Sequence, residues 1–193
     1  MKSLKIIKDL RQITGAGILD CQKALQEANN DLIKAEEILR KKGQKIVDKK
    51  LDREAKEGVI GSYVHANNKI GVLIELLCET DFVARNKEFK ELAHDLAMQV
   101  AAANPQWIKP IDVPSEILKK EKEIIKEGLP KDKPTQTIEK ITEGKLQKFY
   151  SQFCLEEQMF IKDDKLMIKD LIQKKIVKLG ENIQIKRFIR FEI

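Results

Sequence analysis

Residues 59–78 read Val59-Ile60-Gly61-Ser62-Tyr63-Val64-His65-Ala66-Asn67-Asn68-Lys69-Ile70-Gly71-Val72-Leu73-Ile74-Glu75-Leu76-Leu77-Cys78. Val59 to His65 and Ile70 to Cys78 are β-rich runs. Ala66-Asn67-Asn68-Lys69 between them is a hairpin signal, because Asn tolerates the left-handed conformations such turns use. The second run is nearly all apolar from Ile70 to Leu77, which predicts a central strand covered on both faces. The last eleven residues alternate again, with Ile183, Ile185, Ile189, Phe191 and Ile193 on one side, and predict a third strand of the same sheet. The fold class that follows is α+β, an antiparallel sheet packed with helices.

Helical periodicity surrounds these strands. Downstream, Phe89, Leu92, Ala93, Leu96, Ala97 and Val100 keep one-face spacing in a helix from Lys87 to Ala103, capped by Asn86 and ended by Asn104-Pro105. A proline-bearing loop to Pro114 holds the single tryptophan, Trp107, an anchor for that loop or for a partner. Helices over Ser115–Glu127 and about Gln136–Met159, joined by Gly128-Leu129-Pro130 and a Lys/Pro linker, predict an antiparallel helical hairpin. A last helix, Ile168–Leu179, is stopped by Gly180.

Upstream, the first 43 residues read as three short helices. Ser3 caps the first, whose Ile6, Ile7, Leu10 and Ile13 share a face, and Gly15 stops it. The turn Thr14-Gly15-Ala16-Gly17 leads to a second helix, Ile18–Ala28, with Cys21, Ala24 and Leu25 inward. Asn29-Asn30-Asp31 recaps a third, Leu32 to Lys42, with Ala35, Ile38 and Leu39 inward and Gly43 at its end. Lysine-rich residues 44–57 read as a linker, helical or flexible. The expected division is residues 1–50, a three-helix partner-binding domain with linker, and residues 51–193, an α+β core and dimerisation domain.

Composition narrows the function. The chain has 193 residues, 35% charged and 42% hydrophobic, with 37 Lys and Arg against 31 Asp and Glu. No apolar run approaches the roughly 20 residues that span a bilayer, and Lys5, Lys8, Asp9 and Arg11 break any apolar leader segment. A soluble, cytoplasmic protein without membrane association is expected. Cys21, Cys78 and Cys154 are odd in number and widely spaced, which fits neither a disulfide framework nor a zinc site. His65 and His94 have no second ligand at metal spacing, and Gly144-Lys145 lacks the remaining glycine and hydroxyl of a phosphate loop. No metal site, nucleotide cradle or cofactor is expected, and no Cys-His, Ser-His or carboxylate pair suggests an enzyme.

Three segments together resemble the bacterial elongation factor Ts family, the nucleotide-exchange factors of the GTPase elongation factor Tu. They are Leu10-Arg11 with Thr14-Gly15-Ala16-Gly17, Asp20-Cys21 and Lys23-Ala24-Leu25; then Thr80-Asp81-Phe82-Val83-Ala84-Arg85-Asn86; then Gly180-Glu181-Asn182-Ile183 with Arg187-Phe188. The resemblance implies an N-terminal three-helix domain of the ubiquitin-associated type and a core with a three-stranded antiparallel sheet. It implies that Asp81-Phe82, within Thr80, Asp81, Phe82 and Val83, inserts near the magnesium site of the GTPase and dislodges Mg2+. It also implies that Arg11, Ile18 and Leu19 contact a helix of the nucleotide-binding domain. Longer members have two basic residues after Asp-Cys, whereas this chain has Gln22 and then Lys23. They also carry two related core halves, of which one copy is found here, so the resemblance implies a homodimer binding two GTPases.

Read without the resemblance, Phe82 is either a core residue under the next helix or a projecting aromatic beside Asp81. Ile18 and Leu19 are adjacent and large, so a small three-helix core cannot take both. The net charge of +6 makes a basic RNA-binding protein of the translation apparatus the rival reading. Its charge is dispersed, however: residues 1–57 carry 14 basic and 10 acidic groups, 58–114 carry 5 and 7, and 115–193 carry 18 and 14. No aromatic-basic interleaving of a stacking platform accompanies it, so no direct nucleic-acid contact is expected.

Overall fold

The computed structural model describes residues 2–129 and 134–193. The order among them is α1 (Lys2–Thr14), α2 (Ile18–Glu27), α3 (Leu32–Leu51), β1 (Glu57–Val64), β2 (Ile70–Cys78), α4 (Asp81–Arg85), α5 (Lys87–Ala103), α6 (Ser115–Glu127), α7 (Thr135–Phe153), β3 (Met159–Phe160), β4 (Asp163–Met167), α8 (Ile168–Leu179) and β5 (Gln184–Glu192). The main sheet has the order β1-β2-β5 and is antiparallel, so the apolar run does form the central strand of an α+β fold. By contact, the chain divides into one unit of Met1–Val59, Leu76–Lys90 and Asp170–Gln184, and another of Ile60–Glu75, Glu91–Lys169 and Ile185–Ile193.

In the first unit, α1 to α3 enclose Leu10, Cys21, Ala24, Leu25, Ala28, Ala35 and Leu39. This core is built mostly of small residues, and it closes without Ile13, which is largely exposed contrary to the periodicity. The backbone is helical from Lys2, and the expected cap by the Ser3 side chain lies outside the described residues. Asp31 caps α3 by accepting from the N–H groups of Ile33 and Lys34. The expected stop at Gly43 is wrong. Ala35, Leu39, Gly43 and Val47 recur every fourth residue, Val47 is buried, and Gly43 faces Val177 of α8, so the glycine is a packing position within a helix that reaches Leu51.

In the second unit, β1 lies close over α5. A Cβ on Gly61 would stand 2.8 Å from both the Cβ and the carbonyl oxygen of Ala93. Only glycine allows that approach. Val72 and Ile74 of β2 are buried on this side, but Leu73 on the other is 47% exposed. The central strand is therefore buried on one face, while the other is open at Leu73 and only partly covered at Gly71, Glu75 and Leu77, correcting the expectation of two covered faces. Along the last eleven residues the expected one-sided set splits: Ile183, just before β5, and Ile185 are buried, whereas Ile189, Phe191 and the terminal Ile193 are exposed.

The helix α7 ends at Phe153, short of the expected Met159. Its successor Cys154 turns extended and bridges Trp107 in parallel, with Leu155 N–H on Trp107 O at 2.9 Å and Glu156 N–H on Ile108 O at 3.0 Å. Trp107 packs against Phe149 and Phe153, which anchors the proline-bearing loop. The buried Gln99 then fixes the unforeseen β3-β4 hairpin, donating to Gln158 and Met159 O and accepting from Ile161 N–H. Of the expected linker between α6 and α7, residues 130–133 lie outside the described residues.

Candidate functional site

Strand β2 ends on Cys78, whose buried thiol donates to Thr80 O at 3.2 Å. Burial, and then the charge of Glu181, push that thiol up to about 11. The chain turns at Thr80, extended at φ −128° and ψ 156°, and its hydroxyl oxygen accepts from Val83 N–H as the cap of α4. A five-residue helix would be marginal by itself. Here Ala84, buried, attaches it to the rest of the unit, and Asn86 stops it and caps α5 by accepting from Glu88 N–H at 2.8 Å.

These constraints leave one large apolar side chain of α4 without cover. Phe82 is 80% exposed, while Phe89, on the next helix, has no exposed surface. Asp81 is half-buried and pairs with Arg85 at 3.0 Å across one helical turn. Val83 is half-buried and Thr80 is exposed. The four expected residues thus form one projecting turn on a rigid frame.

The frame comes from the turn between α8 and β5, where Gly180 adopts φ 79°. Glu181 accepts from Glu79 N–H at 3.1 Å, Thr80 N–H at 3.0 Å and the Thr80 hydroxyl at 2.6 Å. Asn182, fully buried, donates its backbone N–H to the Glu79 carboxylate at 2.7 Å and its amide nitrogen to Arg53 O at 2.7 Å and Leu51 O at 3.3 Å. Arg53 in turn approaches Glu79 at 3.5 Å. Glu181 and Asn182 carry no role in the sequence reading. The signals they did carry were their place in the Gly180-Glu181-Asn182-Ile183 segment of the resemblance and an acidic residue directly after a helix-stopping glycine.

On the helical module, Arg11, Ile18 and Leu19 are all exposed, Leu19 to 71%. Both apolar residues that opened α2 therefore face outward, and Ile13 and Ile33 add two further exposed apolar side chains. Among the described residues, no group of three or more His, Cys, Asp or Glu side chains is placed to hold a metal ion. No helix among them is long and apolar enough to cross a membrane.

The family model described as "Elongation factor TS" matches residues 8–193. An elongation factor Ts of Thermotoga sp. (strain RQ2) is 58% identical over 191 residues, 99% of this chain and 96% of that one. One from Thermodesulfovibrio yellowstonii is 54% identical over 189 residues, covering 98% of this chain and 94% of its own. One from Carboxydothermus hydrogenoformans is 50% identical over 194 residues, covering 100% and 89%. Agreement of this extent spans the helical module, the projecting turn and the last strand alike, and the chain belongs to the elongation factor Ts family of translation elongation factors.

Proposed function

We propose that this protein acts in the cytoplasm on the GTPase elongation factor Tu, releasing GDP so that GTP can enter. The observation that carries the reading is Phe82, an aromatic side chain 80% exposed beside Asp81 on a turn anchored from below. No catalytic group is needed. Bound GDP is held by phosphate contacts and by a Mg2+ ion that demands near-ideal octahedral geometry, so shifting the surrounding helices by an ångström or so removes ligands from the ion. Burying one phenylalanine in the partner contributes about 2–3 kcal/mol. That is enough to favour a state of the GTPase that holds nucleotide weakly. By linkage, nucleotide then lowers the affinity for the factor by the same ratio, and the factor leaves when GTP binds.

Residues 1–50 provide a second attachment in this reading, with Arg11, Ile18 and Leu19 against the nucleotide-binding domain. The factor works as a homodimer, two chains with two GTPases. What supports this is the outer side of the main sheet, where Ile60, Val64, Leu73, Ile189 and Phe191 stand exposed around the Glu75–Arg187 ion pair at 2.7 Å. An apolar, charge-balanced face suits an isologous contact with its own copy.

The test is release of fluorescent GDP from elongation factor Tu. Addition of the protein should speed release by orders of magnitude. An unchanged rate at saturating protein would reject the proposal.

A further inference from the structure

We propose that Glu181 is a positioning residue for the Phe82 wedge, setting the direction in which the ring leaves the frame. The inference rests on the exchange reading above and deepens it. Three donors converge on one carboxylate: Glu79 N–H and Thr80 N–H on Oε2, and the Thr80 hydroxyl on Oε1 at 2.6 Å. Such hydrogen bonds to an ionised acceptor are among the stronger ones in proteins.

Their arrangement has a directional effect. A threonine hydroxyl has one proton and two lone pairs. With the proton committed to Glu181, the lone pairs of Thr80 are left for the N–H of Val83, the capping contact that starts α4. Phe82 lies between the cap and its acceptor-bound residue, so its backbone orientation is set from both ends. The lower side is held as firmly, because Asn182 joins Glu79 to the carbonyls of Leu51 and Arg53. Without Glu181, two amides lose their acceptor and the hydroxyl is free to rotate. The turn then samples orientations in which the ring misses its pocket.

The experiment measures GDP release from elongation factor Tu against factor concentration, giving a plateau rate and a half-saturating concentration for each full-length variant. Glu181→Ala should lower the plateau about tenfold, with half-saturation little changed. Glu181→Gln keeps an acceptor for the two amides and should stay within about threefold of the wild type. Phe82→Ala with Glu181→Ala should be no slower than Phe82→Ala alone, because no ring remains to be aimed. Amide hydrogen exchange at Val83 and Ala84 should accelerate in Glu181→Ala while Phe89 and Leu92 keep their protection.

A merely structural role gives a different pattern, a smaller folded fraction that raises the half-saturating concentration and leaves the plateau intact. That pattern, or full multiplication of losses in the double variant, would overturn the positioning role while leaving the exchange reading standing. Absence of stimulated release by the wild type would overturn the exchange reading, and the wedge role of Glu181 with it. If Glu181→Ala melts too low to assay, the Glu181→Gln plateau and its Val83 and Ala84 amides decide: an unchanged plateau with faster amides refutes the coupling.

Discussion

Phe82 and Phe89 stand seven residues apart on either side of the Asn86 cap, and the first is 80% exposed while the second is completely buried. Two equivalent side chains therefore give opposite predictions. Phe82→Ala should leave the melting temperature within a few degrees and slow stimulated GDP release about tenfold or more, since loss of about 2 kcal/mol of contact corresponds to a factor of about 30. Phe89→Ala should cost about 3–5 kcal/mol of stability. Thermal unfolding and GDP release measured on one preparation separate the two, and a large stability loss in Phe82→Ala would reject the wedge.

The helical module should set affinity rather than plateau rate. Leu19→Ala is expected to raise the half-saturating concentration about tenfold, the effect of about 1.5 kcal/mol of lost apolar contact, with the melting temperature unchanged because the side chain is exposed. A point substitution is cleaner than removing residues 1–50, since that cut would sever α3 within its continuous run to Leu51. Titration calorimetry with the nucleotide-free GTPase gives the affinity directly. No loss of affinity would take Leu19 out of the interface.

Light scattering at micromolar concentration should give twice the chain mass. Leu73→Lys, which puts a charge in the middle of the exposed apolar face, should shift the population to the single-chain mass without unfolding it, as the side chain is half exposed in the isolated chain. A wild type of single-chain mass, or a Leu73→Lys variant that remains double, would argue against the sheet-face dimer.

The three cysteines are buried in the chain, and burial pushes Cys78 and Cys154 up to about 11. At pH 8 a thiol reagent should label none of them until denaturant is added, when three groups react. A thiol held protonated by folding favours the native state below its unfolded value, near 8.5, and that advantage fades as pH rises towards 11. Urea midpoints should therefore decline between about pH 9 and pH 11. Constant midpoints over that interval would mean that the thiols do not contribute.

The order of elements was legible in the chain because each rests on local periodicity. Residues Ile70–Cys78 and Ile168–Leu179 begin and end where the pattern of apolar residues and the Asn and Gly signals place them. Local pattern also marked Thr80–Val83 as a junction of strand and helix and left the direction of Phe82 open. That direction depends on Glu181, a hundred residues further along, whose carboxylate reaches the Thr80 hydroxyl only once the chain has folded back. The same distance effect governs the other departures. Gly43 reads as a stop until Val177 is seen beside it, and Leu73 reads as buried because hydropathy reports a side chain's preference and not whether anything covers it. Trp107 and Cys154 end α7 by pairing across 47 positions, a contact with no local signature. Periodicity is a property of neighbours in sequence and so determined the helices and strands; burial, caps and the aim of an exposed ring arise from residues far apart, and only the tertiary structure decided them.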